Sequence, residues 1–427
     1  MRARKATVVG GGIAGLATAL RFHRAGIEVD LFEGSGRLGG KLHTEGGGLE
    51  AGAENFLMRD PAGGPSAVVQ LIDDLGLGDD IVHPTGLPPG LFVNGSLKRL
   101  PGGTLLGIPG PQTDLSGIAQ LSGSDVDTGQ PVLEADMAVG KLVRQRFGDE
   151  VVTKLVDPLL GGVYAGRADE LSIAATMPSL FSLVRVEPTL SGAVRKAMEA
   201  SKAHLGGGPV FGTVAGGLSR VVEAAARELE GRIHVGEFVR ELPKGPVVLA
   251  IPGPKANRLL PELRLGGMEY ASVALATFVF PDAALHDLPE MSGFLVPESE
   301  GLSIKAATFF SRKWEHIGGC VVRVSLGRAG VAATLQAPDE ALVQTALADL
   351  SKVVGQLPIP EFTRLNRWGG GLPQYKINHM DHVQEARERL RDMPIALAGA
   401  AFDGVGIPAC AKSGRDAAEL LMERWMT

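Results

Sequence analysis

Three glycines in one turn, answered by an acid at the end of the next strand, constrain this chain more than any other feature. The run Ala6-Thr7-Val8-Val9 is short, apolar and β-branched, and it leads into Gly10-Gly11-Gly12-Ile13-Ala14-Gly15. The spacing Gly10-x-Gly12-x-x-Gly15 opens a helical pattern, and the following strand, Val29-Asp30-Leu31-Phe32, ends in Glu33 and Gly34. Glycine here lets backbone approach a pyrophosphate and lets the helix pack close on its strand. The helix N-terminus then faces the phosphates, and Glu33 stands where ribose hydroxyls would be held. A lone turn of this kind could be an ordinary glycine-rich loop. Strand, helix and acid in the right order make it an adenine-dinucleotide turn.

A second glycine turn, Gly36-Arg37-Leu38-Gly39-Gly40-Lys41, follows the acid directly. Many FAD oxidases carry such a turn and most NAD dehydrogenases lack it. A third, Gly52-Ala53-Glu54-Asn55, comes soon after.

At 427 residues the chain exceeds one compact core, so two or three subdomains are expected. The net charge of -6, without a long basic block, argues against a nucleic-acid surface. Cys320 and Cys410 are too far apart for a zinc ribbon or a disulfide framework, and they fit a reducing cytosol. Cys410 reads as a small buried residue, with a redox partnership to a cofactor as the rival reading. The histidines show no paired-ligand spacing, so no metal is expected. No stretch of eighteen uncharged apolar residues appears, and the first apolar segment is a strand and helix broken by glycines, not a leader. A cytoplasmic protein is expected, with peripheral membrane contact left open.

Along the chain, the spacing of Val68, Val69, Leu71, Ile72 and Leu75 predicts a helix over 66–76. Asn94-Gly95 between apolar runs predicts a hairpin over 91–100, and 101–130, rich in Gly, Pro, Ser and Asp, reads as a loop or a poorly ordered segment. Residues 138–205 are mainly helical. Ile233-His234-Val235 and Val247-Val248-Leu249-Ala250 read as short parallel strands, and 270–330 alternates as antiparallel strands do. Residues 338–354 read as a helix. Ile395-Ala396-Leu397 leads through glycines into a helix from about Cys410 to Trp425. Both ends of the chain thus read as strand, glycine loop, helix. The fold class is α/β with α+β insertions: a Rossmann-like dinucleotide domain in discontinuous segments (1–60, 206–260 and 390–427), an antiparallel-sheet substrate domain (61–110 and 261–389), and a helical insertion (111–205).

Several separated motifs share one resemblance. They are the glycine turns above, with Ala51-Gly52-Ala53-Glu54-Asn55-Phe56, then Phe147-Gly148-Asp149-Glu150-Val151-Val152 and Asp157-Pro158-Leu159-Leu160-Gly161-Gly162-Val163-Tyr164-Ala165-Gly166. Trp368, Leu372-Pro373-Gln374-Tyr375 and Gly399-Ala400-Ala401-Phe402-Asp403-Gly404-Val405-Gly406-Ile407-Pro408-Ala409-Cys410 complete the set. Over nearly its full length the chain resembles the oxygen-dependent, FAD-containing coproporphyrinogen III and protoporphyrinogen oxidases.

The resemblance implies FAD as cofactor. Gly10, Gly11, Gly12, Ile13, Ala14 and Gly15 would hold the pyrophosphate, and Glu33 and Gly34 the ribose. Arg37, Gly40 and Lys41 would follow the second turn, and Val239 would reach adenine by its backbone. Gly52, Ala53, Glu54 and Asn55 would lie along the isoalloxazine ring, with Trp368, Gln374, Gly399, Val405, Gly406 and Ile407 completing the cofactor set. A flat macrocycle would lie against Gly161, Gly162, Val163 and Tyr164, with Gly162 backbone facing the carbon that gives up hydride. Trp368, in a loop punctuated by Gly and Pro, reads either as a ring-stacking wall or as core. Lys41 joins the substrate pocket as the leading partner for propionates; Lys98, Arg99, Arg167 and Arg185 are the other basic residues near the motifs.

The implied reaction takes six electrons from a porphyrinogen substrate, with O2 as acceptor and H2O2 released; the ferrochelatase of the pathway is the implied protein partner. Without an anchor the chain resembles the monoderm-bacterial coproporphyrinogen III oxidases, so coproporphyrinogen III ranks above protoporphyrinogen IX. An amine oxidase or desaturase, and a flavin- or porphyrin-binding protein without turnover, are the rival readings. Three Tyr and three Trp speak against an amine oxidase's aromatic cage. The chain departs from the family between His234 and Ile251, which is short, and at Asn378-His379, where relatives tend to Gly-His.

Overall fold

A computed structural model describes residues 5–205 and 208–426; Met1 to Arg4, the approach to the first strand, lie outside the described residues, as do 206, 207 and 427. In chain order the elements that bear on the site are β1 (Lys5–Val9), α1 (Ile13–Arg24), β2 (Glu28–Glu33), α2 (Ala67–Asp74), β3 (Pro89–Val93), β4 (Ser96–Arg99) and α3 (Asp157–Tyr164). They continue with β5 (Ile233–Val235), β6 (Val247–Leu249), β7 (Tyr270–Phe280), β8 (Gly293–Leu295), β9 (Ile304–Phe309) and β10 (Cys320–Leu326). The last four are α4 (Asp339–Val354), β11 (Phe362–Pro373), β12 (Ile395–Leu397) and α5 (Ile407–Trp425). The chain divides into two compact units: Met1–His83 with Gly207–Glu269 and Met380–Thr427, and Pro84–Gly206 with Tyr270–His379.

The first unit is built on a five-stranded sheet in the order β5-β2-β1-β6-β12. Every pairing is parallel, with Val8 beside Leu31 and Val248, and Leu249 beside Leu397. A parallel sheet is covered on both faces, which is why β1, β6 and β12 are nearly continuous in Val, Leu, Ile and Ala. Helices α1 and α5 meet at bare backbone. A Cβ on Gly414 would lie 2.0 Å from the Ala14 carbonyl oxygen, and the Thr18 hydroxyl donates to the Gly414 carbonyl at 2.9 Å. Helix α2 joins the same core through Val68, Val69, Leu71 and Ile72, so residues 61–83 belong to this unit and not to the second domain where the sequence reading places them. Apolar burial decides that assignment, since each such side chain contributes about 1.5–3 kcal/mol.

The second unit holds a seven-stranded sheet in the order β11-β7-β10-β9-β8-β3-β4. Its pairings are antiparallel except one: β8 runs parallel to β3, with Phe294 beside Gly90. The hairpin β3–β4 turns at Asn94 and Gly95, both with positive φ (54° and 67°), the backbone that an Asn-Gly turn favours. Helix α4 covers one face, packing Leu342, Ala346 and Leu350 onto Phe278, Val322 and Phe309. The helical stretch runs from Val139–Phe147 through a π-helical turn at Val152–Val156 into α3, and on through Pro178–Val184 to Leu190–Leu205. It lies within this unit.

Two elements differ from their sequence expectation. Helix α5 starts at Ile407, not at Cys410, because Pro408 suits a first helical turn, where its missing N–H costs nothing. Trp368 lies on strand β11, opposite Val273, and not in a loop; cross-strand pairing overrides the glycines around it.

Candidate functional site

In the first unit, two of the three opening glycines are required by the protein itself. A Cβ on Gly10 would lie 2.4 Å from the Ala250 carbonyl oxygen, and Gly10 has φ of 110°. One on Gly15 would lie 1.8 Å from the Gly10 carbonyl oxygen. Gly12 is different: its backbone is extended, and a Cβ there would meet nothing within 4 Å. Its missing side chain leaves an open approach to the N-terminus of α1, which no side chain caps. An anion would find a positive helix end and free space there.

Glu33 clamps this turn. It accepts from Gly11 N–H and from Ser35 N–H, both at 2.7 Å. The second glycine turn docks on the first: Gly39 N–H donates to the Gly11 carbonyl at 2.8 Å, and a Cβ on Gly40 would touch Gly12 Cα at 3.4 Å. Arg37 holds the second turn by donating to the carbonyls of Leu38 and Gly40 at 3.0 and 2.8 Å. Buried Ile13 and Ala14 anchor α1. A Cβ on Gly34 would strike the Phe238 ring at 2.7 Å.

The same unit supplies a second glycine-to-helix junction. Gly399, Gly404 and Gly406 all have positive φ, and α5 begins uncapped at Ile407. Gly399 N–H donates to Ser413 Oγ at 2.8 Å, Ser413 Oγ donates to Asp403, and Arg387 pairs with Asp403 at 2.6 Å. Val405 is half-buried and Ile407 buried.

Lys41 sits beside Cys410. Its side chain keeps accessible surface while protein packs densely around its ammonium, which lowers its pKa, and Cys410 partly opposes the effect. Burial pushes the Cys410 thiol up to about 11, so it stays protonated at neutral pH and fits the small-residue reading. Ala53 N–H donates to the Lys41 carbonyl at 3.0 Å, and Asn55 donates to Glu54 at 3.1 Å, tying the third glycine turn to the second. Gly52 is half-buried at the head of that turn. Val239 packs half-buried, after β5, on the cluster around Leu249 and Leu397.

In the second unit, α3 ends at Ala165, whose left-handed backbone (φ 51°) closes the helix. Gly161 is buried, while Gly162 and Val163 are exposed. A Cβ on Gly162 would reach Leu295 of β8 at 3.5 Å, an ordinary van der Waals contact. Tyr164, expected as a pocket wall, is a core prop: its hydroxyl donates to the Thr176 carbonyl at 3.3 Å, its ring tilts against Tyr375, and burial pushes its pKa up to about 12. Gln374, expected at the cofactor, is buried and uses its amide on the Tyr164 and Leu372 carbonyls at 2.8 and 3.2 Å. Trp368 packs half-buried against a small cluster with Ala165 and Val273. Gly161, Gly162, Tyr164, Trp368 and Gln374 therefore gather around the end of α3.

The basic candidates divide. Arg167 forms a two-point pair with Glu298 at 2.8 and 3.1 Å, Lys98 donates to the Gly117 carbonyl, Arg185 lies over the Phe181 ring, and Arg99 is exposed. One cation was missed. Lys305 of β9 is 6% exposed and donates to the Gly161 carbonyl at 3.3 Å. Its signal in sequence is a single charge inside Ser303-Ile304-Lys305-Ala306-Ala307-Thr308-Phe309, an otherwise uncharged strand. Among the described residues no cluster of metal-ligating side chains occurs, and no described helix is long and apolar enough to cross a membrane.

The cradle around Gly12 fits a dinucleotide: an open glycine, the uncapped N-terminus of α1 and a carboxylate already oriented by backbone. Residues 13–422 match the family model of the flavin containing amine oxidoreductases. The chain is 35% identical to the coproporphyrinogen III oxidase of Mycobacterium tuberculosis (96% of this chain, 95% of that protein) and 30% identical to that of Bacillus subtilis (96% of each). A solved structure from Exiguobacterium sp., provisionally named a protoporphyrinogen oxidase, superposes with a TM-score of 0.84 at 30% identity and covers 99% of this chain and 100% of that one. The cyclohexylamine oxidase of Brevibacterium oxydans shares the fold at a TM-score of 0.71 and 17% identity, covering 99% and 100%. The chain belongs to the flavin containing amine oxidoreductase family, in its branch of coproporphyrinogen III and protoporphyrinogen oxidases, and is an FAD-dependent oxidoreductase.

Proposed function

We propose that the protein oxidises coproporphyrinogen III to coproporphyrin III. The observation that carries this reading is the exposed, side-chain-free Gly162 at the end of α3, backed by Leu295, a surface fit for a flat macrocycle. When bound, FAD accepts hydride from the substrate and passes the electrons to O2, so three two-electron rounds consume three O2 and release three H2O2.

The first unit holds the cofactor: backbone at Gly11 to Gly15 and the N-terminus of α1 meet the pyrophosphate, and Glu33 the ribose. The α5 N-terminus with Gly404 and Gly406 favours negative charge at the flavin, and Lys41 adds a cation. Gly52 to Asn55 leave room for the ring, and Val239 reaches adenine. The second unit carries the porphyrinogen. Gly161 and Gly162 present backbone to it, Val163 lends apolar surface, and Tyr164, Gln374 and Trp368 keep that turn in shape. The domain roles follow: segments 1–60, 206–260 and 390–427 for FAD, the antiparallel sheet and helical insertion for substrate. The setting is cytoplasmic, with the pathway's ferrochelatase as the partner that receives the product.

Protoporphyrinogen IX is the second reading, because protoporphyrinogen oxidases fall among the relatives; that of Macaca fascicularis is 29% identical over 97% of this chain. Anaerobic mixing of the yellow holoprotein with each porphyrinogen tests the choice. Faster bleaching of flavin by coproporphyrinogen III is expected. Preference for protoporphyrinogen IX would reverse the assignment.

A further inference from the structure

We propose that Lys305 is a positioning residue: its buried ammonium holds the Gly161 carbonyl and so sets the Gly161–Gly162 backbone against which the porphyrinogen reacts. The inference rests on the reading of Gly162 as the substrate-facing backbone.

The placement of Lys305 is built into the sheet. Strand β9 pairs with β10 as Ile304 to Leu326 and then Ala306 to Ser325, so Lys305 is the extra residue of a β-bulge. A bulge turns its residue out of the regular alternation and re-aims the side chain. Ile304 stays in the core with Phe278 and Leu350. Lys305 turns to the end of α3 instead, where Leu295 of β8, opposite Ala306, would meet a Cβ on Gly162 at 3.5 Å. Among the described residues the ammonium has one hydrogen-bond acceptor, Gly161 O, which also accepts Ala165 N–H at 3.0 Å in the last turn of α3. A cation at a helix C-terminus is well placed against the exposed carbonyl dipoles.

Among the described residues no carboxylate pairs with it. The charge facing it is Arg328, which donates to the Val296 carbonyl at 2.6 Å. Glu298, Asp157 and Arg167 stand around Arg328, with Glu298 taken up by Arg167. Asp349 of α4 accepts from Ser303 N–H and pairs with Lys352. Burial, and then Arg328, lower Lys305 to about 7. Its grip on Gly161 is a charge-assisted hydrogen bond below that pH and a weaker neutral one above it.

The test uses the holoprotein and its Lys305→Met and Lys305→Arg variants, with two readouts. The first is flavin bleaching by coproporphyrinogen III from pH 6 to 9. Wild type is expected to slow as pH rises through about 7. Lys305→Met should slow bleaching about tenfold or more and lose that step, the scale expected when a reacting geometry is loosened. Lys305→Arg should recover much of the rate and also lose the step, since guanidinium does not titrate there. The second readout is amide hydrogen exchange over residues 157–168 without substrate, expected faster in Lys305→Met and restored in Lys305→Arg. Unchanged exchange in Lys305→Met overturns the brace. Faster exchange with an unaltered rate and pH profile overturns its role in the reaction. Wild-type holoprotein that is bleached by neither porphyrinogen sinks the reaction reading, while exchange still decides the brace.

Discussion

Gly12 and Gly15 are equivalent letters in a motif and opposite cases in space. A Cβ on Gly15 would fall 1.8 Å from a backbone oxygen, whereas one on Gly12 meets no protein atom. Gly15→Ala should therefore cost about 1–3 kcal/mol of apoprotein stability through overpacking. Gly12→Ala should cost under about 1 kcal/mol, the loss of a tolerable N-cap residue, and yet weaken FAD binding by about tenfold or more. Thermal unfolding of the apoproteins and flavin titration separate the two effects. Equal destabilisation would show that Gly12 serves packing and not a ligand. Glu33→Gln keeps the shape but loses the charge that draws Gly11 N–H and Ser35 N–H. FAD affinity should fall with it, by about 1.5–3 kcal/mol if one charged hydrogen bond is the unit of loss.

At the scale of elements, the α1–α5 crossing is held by backbone contact at Gly414, so Gly414→Ala should part the helices. A loss of about 1–3 kcal/mol and release of FAD are expected in denaturant titration and in flavin absorbance. The α3–β9 contact makes a prediction with a defined sign. Lys305 has a folded pKa near 7 against about 10.4 when unfolded. Between those values the unfolded chain carries a proton that the folded chain has released, so its contribution to stability rises with pH and is lost as pH falls through about 7. Lys305→Met removes the buried charge, so its thermal stability relative to wild type should be higher at pH 6 than at pH 9.5. A difference that does not change with pH would mean that Lys305 keeps its ordinary pKa.

Elements also mark where sequence stops being informative. The first two glycine turns were legible because Gly10, Gly39 and Gly40 hold a backbone that few residues adopt, and the Asn94-Gly95 hairpin for the same reason. The parallel β8–β3 pairing was not, because neither Gly293–Leu295 nor Pro89–Val93 carries a local mark of its partner. Trp368 looked like loop because glycines and a proline crowd it, and only its partner Val273 makes it strand. The resemblance implies site roles for Tyr164 and Gln374. The structure shows them bonded to Thr176 and Tyr164 carbonyls, links that span too much chain for any spacing to reveal. A bulge, not alternation, sets the direction of Lys305, and the strand's sequence carries no mark of it.

At the scale of the whole molecule, each unit is assembled from separated segments, and the two ends of the chain lie in one parallel sheet as β1 and β12. The strand-glycine-helix pattern at both ends anticipated this. The boundary did not follow from the pattern, because α2 joins the first unit through apolar contacts and no linker announces it. The proposed substrate rests on chemistry that neither composition nor net charge distinguishes: coproporphyrinogen III carries two propionates more than protoporphyrinogen IX. The most direct measurement is anaerobic stopped-flow absorbance of the holoprotein mixed with each porphyrinogen. The account predicts that coproporphyrinogen III bleaches the flavin faster than protoporphyrinogen IX does. Flavin that stays oxidised with both would contradict it.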